Sequence, residues 1–264
     1  MILLPQRVLE AARKRICIRT SRPLTDGENL LSHASCGSLY SAGAEVTLRD
    51  AEYLGHVLEG VRAALKTEVS DPERREIGAF LATAFERGVL KKEEHLHLYL
   101  YAAWDEPDLW GDEEPIRLGE KYLECDASES SSGFAQNVVM EIRRRGSYFD
   151  IVGFSRPSHG ELVVVEVKIG DVDDRAVGQM LRYYNLARNL CDHQYHGCDI
   201  RRVRPVLIAK GCDMERWLSF PLMFRECMSL FFFRKRKGKL VLVDGKRIIE
   251  TEQRQRLSGA GSGY

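Results

Sequence analysis

The chain has 264 residues, 44% of them hydrophobic, which is enough for one large domain or two small ones with a substantial core. Lysine plus arginine and aspartate plus glutamate balance at 39 each, so no global charge marks a polyanion binder or an acidic tail. No run approaches the ~20 apolar residues of a membrane-spanning helix, and the expectation is a soluble, cytoplasmic protein. Seven cysteines, an odd number without framework spacing, read as reduced thiols. The N-terminal apolar run is short and broken by Pro5, so no signal peptide is expected.

In chain order, residues 6–16 are a short amphipathic helix candidate, and Thr20–Gly43 reads as loops. Leu48–Lys66 has Tyr53, Leu54, Val57, Leu58, Val61 and Leu65 at helical spacing. The next helix has Ser70 or Asp71 as cap, Pro72 in its first turn and Gly88 at its end. Lys91–Trp104 alternates over HLHLYLY but is expected to be helical. The acidic, Pro- and Gly-containing segment Asp105–Pro115 reads as a domain boundary. Residues 1–112 then form a mostly helical N-terminal domain of unassigned role, and residues 113–252 a second domain. The tail, residues 253–264, has nothing to bury and is expected to be disordered.

In the second domain Ile116–Cys125 is expected to be a helix opened by Pro115, Ser128–Gly133 a loop and Asn137–Arg144 a first strand. Tyr148–Phe154 and Glu161–Ile169 flank a turn-rich segment and read as a hairpin. A helix, Arg175–Leu190, comes next, then the buried strand Arg204–Lys210 and a helix over Met214–Cys227. Met228–Arg236 with Lys239–Ile249 forms a second hairpin. The fold class is mixed α/β: helix, three-strand meander, helix, strand, helix, hairpin.

The strand Glu161–Ile169 is apolar almost throughout from Leu162 to Val167, yet it carries Glu166 and Lys168 on one face, with Asp150 on the strand before it. An ionised carboxylate there costs several kcal/mol unless it is paired, hydrogen-bonded or metal-bound. Gln179 and Tyr183 lie one turn apart on one face of the next helix.

An acid before a hairpin, E-x-K on an apolar strand and Q-x-x-x-Y on the following helix resemble the PD-(D/E)xK nuclease superfamily, its RecB-like and NucS-like branch closest. The matching residues are Asp150, Glu166-Val167-Lys168 and Gln179-Met180-Leu181-Arg182-Tyr183. The resemblance covers roughly Pro115 to Gly245. It implies a restriction-endonuclease-like core and hydrolysis of phosphodiester bonds, DNA more than RNA, in repair or phage defence. It also implies Mg²⁺ or Mn²⁺ held by Asp150, Glu166 and the Val167 carbonyl, with Lys168 orienting or deprotonating water and Gln179 and Tyr183 lining the site. A further acid for a second metal would be Glu120, with Glu124 and Glu141 as the other candidates. A catalytically inactive nucleic-acid- or protein-binding module and a scaffold with an internal ion network are the rival readings.

Charge is uneven: about −5 over the first 117 residues and about +5 over the rest. The basic surplus lies in Arg143–Arg145, in Arg201–Arg204 and in the hairpin tip Arg234, Lys235, Arg236, Lys237 and Lys239. That tip and Arg182 are the expected nucleic-acid contacts. Cys191, His193, His196 and Cys198, with Cys212 beyond, match no known zinc module, and solvated histidines beside half-buried thiols are the expectation. A protein partner for the N-terminal part and a homodimer are left open by the residues.

Overall fold

The computed structural model describes residues 51–66, 69–86, 92–124, 134–145, 148–155, 159–192, 199–236 and 239–259. The expected helix over residues 6–16, the loops of Thr20–Gly43 and Ser128–Gly133, and Gly88, Lys237, His193, His196 and Cys198 lie outside them. The chain divides into two compact units at Trp104/Asp105.

In the first unit the described elements are helices: α1 (Ala51–Leu65), α2 (Asp71–Glu86) and α3 (Glu93–Ala103). The Ser70 amide and hydroxyl both donate to Glu73, which fixes the start of α2. The alternating HLHLYLY stretch is helical, and all of Leu96–Ala103 in α3 is buried, which hides the 3.6 period from a sequence reading.

The second unit is mixed α/β and centres on a six-stranded sheet in the order β1-β2-β3-β4-β5-β6. Strands β1 (Glu120–Leu123), β2 (Ile151–Phe154) and β3 (His159–Val167) are antiparallel neighbours. Strands β4 (Asp199–Ala209) and β5 (Ser229–Arg236) run parallel to β3, and β6 (Lys239–Asp244) closes an antiparallel hairpin with β5. Helix α4 (Pro107–Trp110) precedes β1, and α5 (Phe134–Arg144) lies between β1 and β2. Helix α6 (Asp174–Asp192) joins β3 to β4, while α7 (Met214–Ser219) and α8 (Leu222–Cys227) join β4 to β5. Helix α9 (Gly245–Gly259) follows β6. Two apolar clusters fill the helix-covered face. One sets Val138, Val139 and Ile142 of α5 and Tyr183, Ala187 and Leu190 of α6 against β2 and β3. The other sets α6, α7 and α8 against Leu207, Leu230 and Phe232.

Several expectations are corrected. The segment expected as a helix, Ile116–Cys125, contains strand β1, and the expected first strand, Asn137–Arg144, lies within helix α5. In α5 the β-branched run hides a helical face: Val138, Val139 and Ile142 are buried and Met140 is 48% exposed. Glu141 reaches Arg144 and Arg145 at the i+3 and i+4 spacing only a helix provides. The meander is therefore β1, β2 and β3, with a helix inserted after its first strand. Pro221 splits the expected Met214–Cys227 helix in two. The last hairpin ends at Asp244, whose side chain accepts from the amides of Lys246 and Arg247 and so starts α9. That helix runs to Gly259 through most of the expected disordered tail, anchored by buried Ile249.

The acidic segment expected as a boundary belongs to the second unit. Leu109 and Trp110 are buried, and Trp110 meets Phe231 edge-on at 5.4 Å between ring centroids. Asp112 and Glu113 pair with Arg236 and Arg247 at 3.2 and 2.7 Å, and Asp108 pairs with Lys239. Gly111, at φ 56°, turns the chain out of α4 in a conformation that favours glycine. Among the described residues no helix is long and apolar enough to cross a membrane.

Candidate functional site

Glu166 and Lys168 stand at the C-terminal end of β3, and Asp150 immediately precedes β2. Ile151 pairs with Val165 as the last rung of the β2–β3 ladder, so Asp150 and Glu166 are the residues next to that rung on the two strands. Asp150 is held at both ends. Its carbonyl accepts from the Glu124 amide at 2.9 Å, and its Oδ2 accepts from the Val167 amide at 2.7 Å. Asp150 is thus fixed by the backbone amides of Glu124, just after β1, and of Val167, the last residue of β3.

Leu162 and Val164 pack against α6, and strand alternation turns Glu166 to that same covered face. Its side chain is 1% exposed, and Lys168 Nζ lies 2.6 Å from its Oε1. The Lys168 amide donates to the Ile208 carbonyl at 2.7 Å, extending the β3–β4 ladder one residue. The ion pair offsets part of the desolvation cost that burying Glu166 carries.

From α6, Gln179 Nε2 donates to the Tyr183 hydroxyl at 2.9 Å, and that hydroxyl donates to the Tyr148 carbonyl at 3.0 Å. The Q-x-x-x-Y pair is therefore one hydrogen-bonded chain ending on the backbone two residues before Asp150. Burial pushes the Tyr183 phenol above its ordinary value. The negative charges of Glu166 and Asp150 add to that rise, while the bonds from Gln179 and Arg182 oppose it. The Arg182 guanidinium sits 5.3 Å over the Tyr183 ring, with its own side chain exposed.

Asp150, Glu166, Val167, Lys168, Gln179 and Tyr183 thus gather at one end of the sheet. Glu120 does not join them. It pairs with Phe154 at the far end of β1, and its carboxylate accepts from the Tyr122 hydroxyl at 3.0 Å. Glu141 is tied to Arg144 and Arg145 on α5. Glu124 is the acid whose backbone reaches Asp150, at a φ of 53° that turns the chain out of β1. Among the described residues no three His, Cys, Asp or Glu side chains cluster where they could hold a metal ion together. The carboxylates of Asp150 and Glu166 are hard oxygen donors, the ligand type that Mg²⁺ takes together with water.

The cations of the basic hairpin tip meet protein partners. Arg236 and Lys239 face Asp112 and Asp108, and Arg234 donates to the Lys210 and Phe233 carbonyls. In β4, Arg202 and Arg204 both pair with Glu161, at 3.1 and 3.2 Å. Lys235 is exposed on β5. Of the histidine and cysteine constellation, Cys212 is described. Burial, with Asp213 and Asp171 nearby, pushes its thiol up to about 12. Sequence reasoning missed the roles of the Tyr148 and Ile208 carbonyls, because neither side chain carries a signal for a backbone acceptor.

No family model matches the chain, and no curated protein or solved structure is significantly similar to it. The nuclease resemblance therefore rests on the motif residues themselves.

Proposed function

We propose that the second unit is a restriction-endonuclease-like domain that hydrolyses phosphodiester bonds, DNA ahead of RNA, with Mg²⁺ or Mn²⁺ as cofactor. The observation that carries this reading is the meeting of Asp150 with the Glu166–Lys168 pair under the Gln179–Tyr183 chain, at the end of an antiparallel triplet continued by a parallel strand. Asp150 and Glu166 would hold the ion, with the Val167 carbonyl beside them. The ion would act as a Lewis acid on the phosphate and acidify a bound water. Lys168 supplies an ammonium next to the Glu166 carboxylate, placed to orient the attacking water and to balance charge growing on phosphate. Tyr183 and Gln179 hold the Tyr148–Asp150 backbone in place, so the carboxylate does not have to reorganise during the reaction. Repair or defence against foreign DNA is the setting that the resemblance suggests, with residues 1–112 selecting the substrate or a protein partner.

A second reading has support of its own: the Glu166–Lys168 pair is closed at 2.6 Å with Glu166 almost fully buried. That favours a nuclease-like fold kept for binding nucleic acid or protein without hydrolysis. A panel of labelled DNA and RNA structures, incubated with Mg²⁺, Mn²⁺ or a chelator, separates the two. The nuclease reading expects metal-dependent products that vanish in Asp150→Asn. The binding reading expects none, together with salt-sensitive retention of nucleic acid.

A further inference from the structure

Tyr148 stands apart from the other aromatic residues. Its side chain is 56% exposed, whereas its neighbour Phe149 is fully buried. Among the described residues it is the one aromatic side chain in the exposed large-hydrophobic set. The backbone that carries it is held from its own carbonyl onward. Tyr183 donates to its carbonyl at 3.0 Å, Phe149 meets the Tyr183 ring edge-on at 4.5 Å, and Asp150 is bonded to the Val167 amide. An exposed ring on a fixed backbone costs little conformational entropy when something stacks on it. The exposed cation Arg182 lies over the ring of Tyr183, whose hydroxyl holds the Tyr148 carbonyl.

We infer that Tyr148 is a stacking platform for an unpaired nucleobase beside the candidate site, with Arg182 meeting the adjoining phosphate, so that the protein prefers single-stranded nucleic acid. This deepens the nuclease reading and rests on it for the reaction, but not for the binding. A flat, exposed ring takes any base through its π-face, which gives strand-type preference without sequence preference. Bases inside a duplex are already stacked and do not offer that face. The tyrosine hydroxyl is not needed for stacking, and the structural part of Tyr148 is its carbonyl, which every substitution keeps.

Anisotropy of a short fluorescein-labelled oligo-dT, in chelator so that nothing is cut, tests the inference. Wild type should bind it roughly tenfold or more tightly than a blunt duplex of equal length. Tyr148→Ala should weaken oligo-dT binding about 5- to 150-fold and leave duplex binding unchanged, while Tyr148→Phe and Tyr148→Trp keep it. On a strand of abasic sites, wild type and Tyr148→Ala should bind alike. Equal oligo-dT binding by Tyr148→Ala, or an equal loss on abasic strands, overturns the inference. Cleavage is scored separately in Mn²⁺. No cleavage by wild type with the binding pattern intact defeats the nuclease reading alone. Asp150-dependent cleavage with binding unchanged in Tyr148→Ala defeats the stacking inference alone.

Discussion

Lys168 Nζ lies 2.6 Å from Oε1 of Glu166, a carboxylate with a side chain only 1% exposed. Breaking a buried pair by removing one partner leaves an uncompensated charge, which typically costs about 3–5 kcal/mol. Lys168→Ala should therefore lower the unfolding free energy of the second unit by that order. The double variant Lys168→Met with Glu166→Gln should recover most of the loss, because no charge is then stranded. Urea unfolding of the three proteins measures this. A single variant as stable as wild type would show that Glu166 is not held by Lys168.

The acidic segment should owe its position to Trp110 more than to its charges. Burying an indole against Phe231 is worth far more than an exposed ion pair. Trp110→Ala should cost about 3–5 kcal/mol. Asp108→Asn and Asp112→Asn should each cost about 1 kcal/mol or less, since these pairs are open to solvent. Denaturant midpoints in low and high salt check both statements, and only the asparagine variants should lose their effect in salt.

Glu141 gives the α5 region an acid limb. The hydrogen bond from Arg145, helped by Arg144, holds its carboxyl below the usual carboxylate value against an opposing desolvation effect. A lowered folded-state pKa means that the contribution is complete above the ordinary carboxylate range. It is lost as pH falls through the folded value. Stability followed from neutral to acid pH should fall less steeply in Glu141→Gln than in wild type. Parallel curves would contradict the assignment.

Cys212 should be a slow thiol. With its pKa pushed up to about 12 by burial and by Asp213 and Asp171, almost none of it is thiolate near neutral pH. Iodoacetamide labelling mapped by mass spectrometry should find Cys212 alkylated far more slowly than a free cysteine in the unfolded chain. Labelling at the unfolded rate would place the thiol in solvent.

What the sequence made legible was the buried charge on β3. A strand that spends Glu166 and Lys168 amid Leu162–Val167 announces a buried charge, and the spacing of Gln179 and Tyr183 announces one helix face. The secondary structure upstream was misread in both places where local and tertiary signals differ. In Asn137–Arg144 the β-branched pair Val138-Val139 outweighed the helical reach of Glu141 to its two arginines. In Ile116–Cys125 Pro115 suggested a helix start, whereas the segment pairs along β2. The ion pairs of the basic hairpin tip were not legible because their acids, Asp108 and Asp112, lie more than a hundred residues earlier in the chain. Glu120 was misplaced for the same reason, since a helix turn and a strand carry its side chain to different ends of the sheet.

The central claim is that Asp150 and Glu166 serve a phosphodiester reaction, and cleavage by Asp150→Asn tests it most directly. Asparagine can still accept the Val167 amide through its own oxygen, so the fold is kept while the charge is removed. Wild type should cut labelled single-stranded DNA in Mn²⁺ and stop in chelator, and the variant should fall by roughly a hundredfold or more. Metal-dependent cutting by Asp150→Asn at the wild-type rate would contradict the account.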